Sequence, residues 1–271
     1  MCKNCYVIFP HAKTLFAITT DSDVLYEKLK TYYGDAFCSD LVNPTNFFIL
    51  NICYFNSELS MPSSSANTVS HNIDLIVSEI LRYIRNNICF EDSYNSYHAS
   101  CVKIEEKAIL LVGGTSSGKT TLTTFLSYCP NATIVAEDIT IVNYIDCTVS
   151  PLQRPLFLRM NSYKLLSTDY NISFQNPRFT TYSGSERIIV KDVDECLLGE
   201  MRLNAILFLK LDKDLQHTKE IDGFENLLEN SYSNFDFHKN VCSALSLSCR
   251  VPSFSFHYYN LEDAYEVIKK I

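Results

Sequence analysis

Residues 108–121 read Ala-Ile-Leu-Leu-Val-Gly-Gly-Thr-Ser-Ser-Gly-Lys-Thr-Thr, and this stretch decides the fold. The apolar run up to Val112 predicts a buried strand, and the pattern G-x-x-x-x-G-K-[ST] over Gly113–Thr120 follows it directly. Thr121, Leu122 and Phe125 then open a helix. Strand, glycine-rich loop and helix in that order make a phosphate cradle. Of the chain's 7 glycines, Gly113, Gly114 and Gly118 stand here, where side chains would hold backbone N–H groups away from a phosphate. Thr115, Ser116 and Ser117 complete the loop, and the helix N-terminus adds partial positive charge. Lys119 is placed to neutralise the β and γ oxygens of a nucleotide, and the Thr120 hydroxyl to ligate magnesium.

Magnesium needs a second anchor, an acid at the end of a neighbouring strand. Thr133-Ile-Val-Ala-Glu-Asp138 supplies two, the first standing 18 positions after Lys119. One carboxylate can hold the metal while the other accepts a proton from an attacking hydroxyl, as phosphoryl transfer to an alcohol requires. Further apolar runs at 98–104, 139–144, 203–210 and 254–258 alternate with helical stretches, the order of an α/β domain. The closing helix is capped by Asn260, carries Ala264, Val267 and Ile268 on its apolar face, and ends in Lys269-Lys270.

Upstream the pattern differs. Residues 6–9 and 14–18 are β-prone and joined by a turn-sized link, which predicts a hairpin. A helix follows, capped by Asp21 or Ser22, with Leu25 and Leu29 on one face and Gly34 at its end. Residues 47–55 form another strand candidate, and the polar Pro62-Ser-Ser-Ser-Ala-Asn67 stretch is the strongest linker signal, with flexibility expected. Ile73, Ile76, Val77, Ile80, Leu81 and Ile84 make one stripe of an amphipathic helix of about four turns. The chain thus divides into a small N-terminal α+β domain over residues 1–70 and an α/β catalytic domain over 71–271.

Composition sets the class. The 271 residues are 46% hydrophobic and carry 23 basic against 31 acidic side chains, a net charge of −8. That balance disfavours nucleic acid and anionic membranes as partners. The 11 cysteines are odd in number and scattered, unlike a secreted disulfide framework, so a cytoplasmic protein is expected. Cys2 and Cys5 have the C-x-x-C spacing of half a zinc site, but no second pair follows. No apolar run suits a signal peptide or a membrane span.

The order Tyr97-His98-Ala-Ser-Cys-Val, the cradle, Val135-Ala-Glu-Asp138 and then Pro151-Leu-Gln-Arg-Pro-Leu-Phe-Leu158 resembles the catalytic domain of HPr kinase/phosphorylase and its stand-alone relatives, some of which modify ribosomally made peptides such as lasso peptides. The cradle also resembles that of PEP carboxykinase. The likeness spans roughly residues 73–271 and includes the closing Val251-Pro-Ser-Phe-Ser-Phe-His-Tyr-Tyr-Asn-Leu-Glu-Asp-Ala264. It implies a P-loop domain of the HPr kinase/PEP carboxykinase type, with Gly113–Thr120 on the nucleotide phosphates, Asp138 on magnesium, Glu137 as base and His98 near the transferred phosphoryl. Glu137 departs from the family, which usually has Asp there. The arginine- and glycine-rich loop of the bifunctional enzymes is missing, so reversal with inorganic phosphate is not expected.

Outside the resemblance, Arg154, between two prolines, is a candidate for stabilising transition-state charge. Arg159, Arg178 and Arg187 are further candidates, and residues 171–186 suggest a mobile substrate loop. The expected function is an ATP- and magnesium-dependent kinase acting on a serine or other hydroxyl of a peptide or small protein, a ribosomally made precursor peptide among them. A small-metabolite phosphotransferase and a non-catalytic nucleotide sensor are the alternatives, and homo-oligomerisation stays open.

Overall fold

The strand expected before the cradle forms as Lys107–Val112, with every side chain after Lys107 buried. In the computed structural model, which describes residues 3–38, 46–55, 58–62, 67–70, 72–152, 154–182, 185–191, 199–213, 217–232 and 236–271, this strand lies inside a nine-stranded mixed sheet. It pairs antiparallel with Ala99–Ile104 and parallel with Met201–Leu211, and Ser253–Tyr258 runs parallel to the latter. A strand buried on both faces needs apolar residues in succession, which is why Leu203–Leu209 reads almost without polar interruption.

Register then gathers the motifs. Ala99 pairs with Val112, so His98 emerges beside the start of the cradle. Ala136 pairs with Cys101, so Glu137 and Asp138 leave their strand, Ala132–Ala136, at the same end. Alternation along Lys107–Val112 sends Ala108, Leu110 and Val112 to one face and Ile109 and Leu111 to the other. The second face is covered by the cradle helix Lys119–Leu126 and the closing helix Leu261–Ile268. Asn260 caps the latter by accepting from the amides of Glu262 and Asp263 at 2.8 and 3.1 Å.

The first face carries a cluster that continues into the N-terminal part: Val7, Leu29, Ile80, Ile84, Leu110, Val142 and Leu247 belong to one apolar body. The predicted hairpin forms as Lys3–Ile8 and Thr14–Thr20. Ser22, not Asp21, caps the helix Asp23–Tyr33, and Gly34 ends it at φ 52°. The predicted stripe forms the helix Ile73–Asn87, with Ile76, Val77, Ile80 and Ile84 buried.

Two readings change, and one helix is new. The two ends of the stretch taken as a linker belong to paired strands, Glu58–Pro62 and Asn67–Ser70, with Pro62 against Asn67; residues 63–66 lie outside the described residues. Residues 171–186, read as a substrate loop, contribute Arg178–Tyr182, paired with Ser185–Lys191; their threonines and aromatics are strand formers, and 183–184 lie outside the described residues. The helix Phe237–Arg250, capped by Asp236, was not foreseen from the pattern.

Candidate functional site

The backbone of the cradle is shaped before any side chain acts. Gly118 sits at φ 86° and Ser116 at φ 69°, left-handed conformations that turn the chain from strand into helix. A side chain on Gly118 would also strike the Tyr258 hydroxyl, which donates to the Ser117 carbonyl at 3.1 Å. At Gly113 an added Cβ would lie 2.6 Å from Ser117 Oγ. That Oγ is buried and has no hydrogen-bond partner. Around Gly114 nothing stands within 4 Å of an added Cβ, so the loop is open there and supported from below at its other two glycines.

Lys119 is 7% exposed and turns back over the loop. Its Nζ donates to the Gly114 carbonyl at 3.2 Å and also to the Gly113 carbonyl. Burial lowers its pKa from the usual lysine value, and the charges of Asp138 and Glu137 oppose that shift. Thr120 Oγ1 donates to Glu137 Oε1 at 2.8 Å. Thr121 Oγ1 donates to Ser162 Oγ at 2.8 Å, which anchors the helix on its flank. Arg159 Nη1 donates to Ser116 Oγ at 3.1 Å, so this exposed arginine reaches the rim of the loop.

The two adjacent acids point to different neighbours. Glu137 is buried at 6% exposure; burial, and then the charge of Asp138, push its carboxyl up to about 7. Asp138 takes φ 65°, a turn that separates its side chain from Glu137 and that aspartate tolerates better than most residues. Its Oδ2 accepts from Arg154 Nη1 at 2.9 Å and its Oδ1 lies 3.2 Å from His98 Nδ1. Burial works against ionisation, yet the His98 hydrogen bond and the Arg154 charge outweigh it and hold the carboxyl below the usual range. Tyr232 Oη meets His98 Nδ1 in a short contact and donates to the Asp138 carbonyl at 3.2 Å.

His98, Lys119, Thr120, Glu137, Asp138 and Arg154 therefore lie at one end of the sheet, in two groups, whereas Arg178 and Arg187 stand on strands of a separate three-stranded sheet. Lys119, Thr120 and Glu137 form one group, and His98, Asp138 and Arg154 the other. The guanidinium of Arg154 is engaged by the Asp138 carboxylate and, through Nε at 3.0 Å, by the carbonyl of Tyr32 in the N-terminal part. Arg159, weighed as a further candidate, touches the cradle at Ser116. Tyr232 went unremarked in the sequence; it stands 134 positions from His98, and no local pattern announces such a partner.

The donor set suits magnesium. A hydroxyl and a buried carboxyl 2.8 Å apart offer hard oxygen ligands of the kind magnesium takes. Among the described residues no three His, Cys, Asp or Glu side chains converge on a metal position, so the remaining ligands of such an ion would be phosphate oxygens and water. At the other end of the chain the C-x-x-C reading finds no support: Cys2 lies outside the described residues, and Cys5 is buried, its thiol pushed up to about 12 by burial while it donates to the Ile18 carbonyl at 3.5 Å. Among the described residues no helix is long and apolar enough to cross a membrane.

No protein-family model matches the sequence, and no curated protein does. Among solved structures, the Hpr(Ser) kinase/phosphatase from Coxiella burnetii overlaps with a TM-score of 0.31 at 13% identity, covering 65% of this chain and 93% of that one. An overlap of that size leaves the reading of the site to its own residues.

Proposed function

We propose that this chain transfers the γ-phosphoryl group of ATP to a hydroxyl of a peptide or small-protein acceptor. The observation that carries the reading is the Thr120–Glu137 hydrogen bond at 2.8 Å, which joins the cradle to an acidic strand end, together with a second polar cluster one residue further on. A module that only bound nucleotide would have no use for that second cluster.

The two groups divide the work. Backbone N–H groups of 113–119 and the Lys119 ammonium bind the phosphates, and Arg159 at the rim meets charge that spreads onto the γ oxygens. Magnesium, when bound, neutralises the β and γ oxygens; Thr120 and Glu137 would hold it. The acceptor hydroxyl oxygen forms its bond to the γ phosphorus as the bond from that phosphorus to the β–γ bridging oxygen breaks. Its proton passes to His98 Nε2, since Asp138 engages Nδ1 and so selects the tautomer whose Nε2 is free to accept. Arg154 keeps the Asp138 carboxylate ionised and aimed. This division moves the metal role that the family resemblance implies for Asp138 to Glu137 and the base role from Glu137 to His98; of the two acids it is Glu137 that bonds Thr120 and Asp138 that meets His98, which supports the reassignment.

The test is transfer of radiolabelled γ-phosphoryl to a peptide library and to protein acceptors with magnesium present. Label in acceptor that is stable to acid hydrolysis marks a phosphoester. ATP turnover into phosphate alone, with no labelled acceptor from any source, would overturn the kinase reading.

A further inference from the structure

A cleft of about 30 Å³ opens beside the Asp138 carboxylate, away from the cradle loop. Its polar lining includes Ser96, Arg85, Arg154 and Tyr232 beside Asp138, and its apolar lining includes Phe9 and Ile84. Ser96 is 1% exposed and its Oγ has no hydrogen-bond partner. A buried hydroxyl is ordinarily satisfied, so an unpartnered one lining a cavity marks a place for a ligand atom. Arg85 lies over the Tyr232 ring at 5.6 Å. Among the described residues no ion pair engages it, whereas the charge of Arg154 is met by Asp138. Two guanidinium groups thus line the cleft beside one carboxylate, which pairs with Arg154.

Size narrows the choice. A volume of about 30 Å³ accommodates two or three heavy atoms and excludes an aromatic ring. A planar guanidinium is matched by a planar two-oxygen anion, and a neighbouring hydroxyl by an acceptor oxygen. We infer that the cleft takes a carboxylate carried by the phosphoryl acceptor, paired with Arg85 and hydrogen-bonded by Ser96. The acceptor is then a hydroxy-carboxylate, either a free small molecule or a peptide hydroxyl flanked by an acidic group. Because Asp138 lines the same cleft, a carboxylate seated there leaves the attached hydroxyl beside the His98–Asp138 pair. The inference rests on the transfer reaction proposed above.

Calorimetry decides it. Glycolate, a minimal hydroxy-carboxylate, is titrated into the full chain with magnesium and a non-hydrolysable ATP analogue, with glycolamide as the uncharged control. Glycolate should bind and glycolamide should not. Arg85→Gln should weaken glycolate by about 10- to 100-fold, the worth of a charge-assisted hydrogen bond, with partial recovery in Arg85→Lys and a smaller loss in Ser96→Ala. The ATP analogue should bind each variant as it binds the wild type, which also shows that they fold. Single-turnover transfer to L-serine against L-serinamide, and to acetyl-Ser-Glu-amide against acetyl-Ser-Gln-amide, separates free from peptide acceptors; a preference for the acid in either pair supports the site. Equal binding of glycolate and glycolamide, an unaffected Arg85→Gln, or no preference in both pairs overturns it. Failure of the wild type to bind the ATP analogue sinks the transfer reading instead, and the glycolate titration without nucleotide then decides the cleft alone.

Discussion

The cradle and the polar cluster around Asp138 are built in opposite ways. The cradle comes from consecutive residues 113–121, shaped by backbone dihedrals and by two glycines that touch their supports. The cluster around Asp138 draws Tyr32, Arg85, Ser96, His98, Arg154 and Tyr232 from distant parts of the chain, and the Arg154 guanidinium bonds it to the N-terminal part. A locally encoded site can lose a side chain without losing its shape. One assembled across the fold is altered less cheaply at Arg154, which also ties the Tyr32 carbonyl to the Asp138 carboxylate.

The largest effect should come from the cradle. Lys119→Ala is expected to lower transfer by on the order of 1,000-fold, the loss of a main donor to developing charge, while the melting temperature changes little because the ammonium contacts only loop carbonyls. Wild-type turnover in this variant would break the cradle half of the comparison. Next, His98→Ala should slow transfer by about 100-fold or more with nucleotide affinity nearly unchanged, as for a general base; single-turnover rates set beside calorimetry separate the two quantities, and equal losses in both would make His98 a binding residue.

The neighbouring acids sharpen the contrast. Glu137→Gln should weaken magnesium-dependent nucleotide binding by roughly 10-fold, as removal of a charged ligand does, whereas Asp138→Asn should leave that affinity alone and depress transfer by disturbing the His98 tautomer. If the two variants show the reverse, Asp138 is the metal-side acid and the roles implied by the family resemblance stand. The smallest effect is thermodynamic. Arg154→Met should cost about 2 kcal/mol in urea unfolding, less than for a fully buried pair because Asp138 is part-exposed, and should reduce transfer with it; a stability loss unaccompanied by any kinetic change would make Arg154 merely a structural tie between the Tyr32 carbonyl and Asp138.

Much of the first half of this site is legible in the sequence. The glycine spacing, the apolar run before it and the acid pair after it each obey a rule that operates over a few residues, and the register of three strands, Ala136 against Cys101 and Ala99 against Val112, brings them together. His98 was within reach for the same reason, standing just before a strand of that register. Arg85 was hidden because it belongs to a helix whose apolar stripe accounts for its neighbours, and a polar residue on such a helix reads as solvated. Ser96 lies in a strand with every residue buried, where nothing in the pattern distinguishes an unpartnered hydroxyl from a satisfied one.

By itself, then, the sequence determined that a strand ends in a phosphate-shaped loop with a lysine, a threonine and two nearby acids, since glycine conformations and hydrophobic periodicity are local properties of the chain. Only the tertiary structure decided which acid meets Thr120. A backbone turn at Asp138 with φ 65° sends adjacent side chains to different partners, and the choice among partners depends on what distant elements deliver. The same holds for Arg154, bound to Asp138 and to the Tyr32 carbonyl: its charge is a property of the residue, but the cost of burying that charge is met only by groups that folding brings within hydrogen-bond distance.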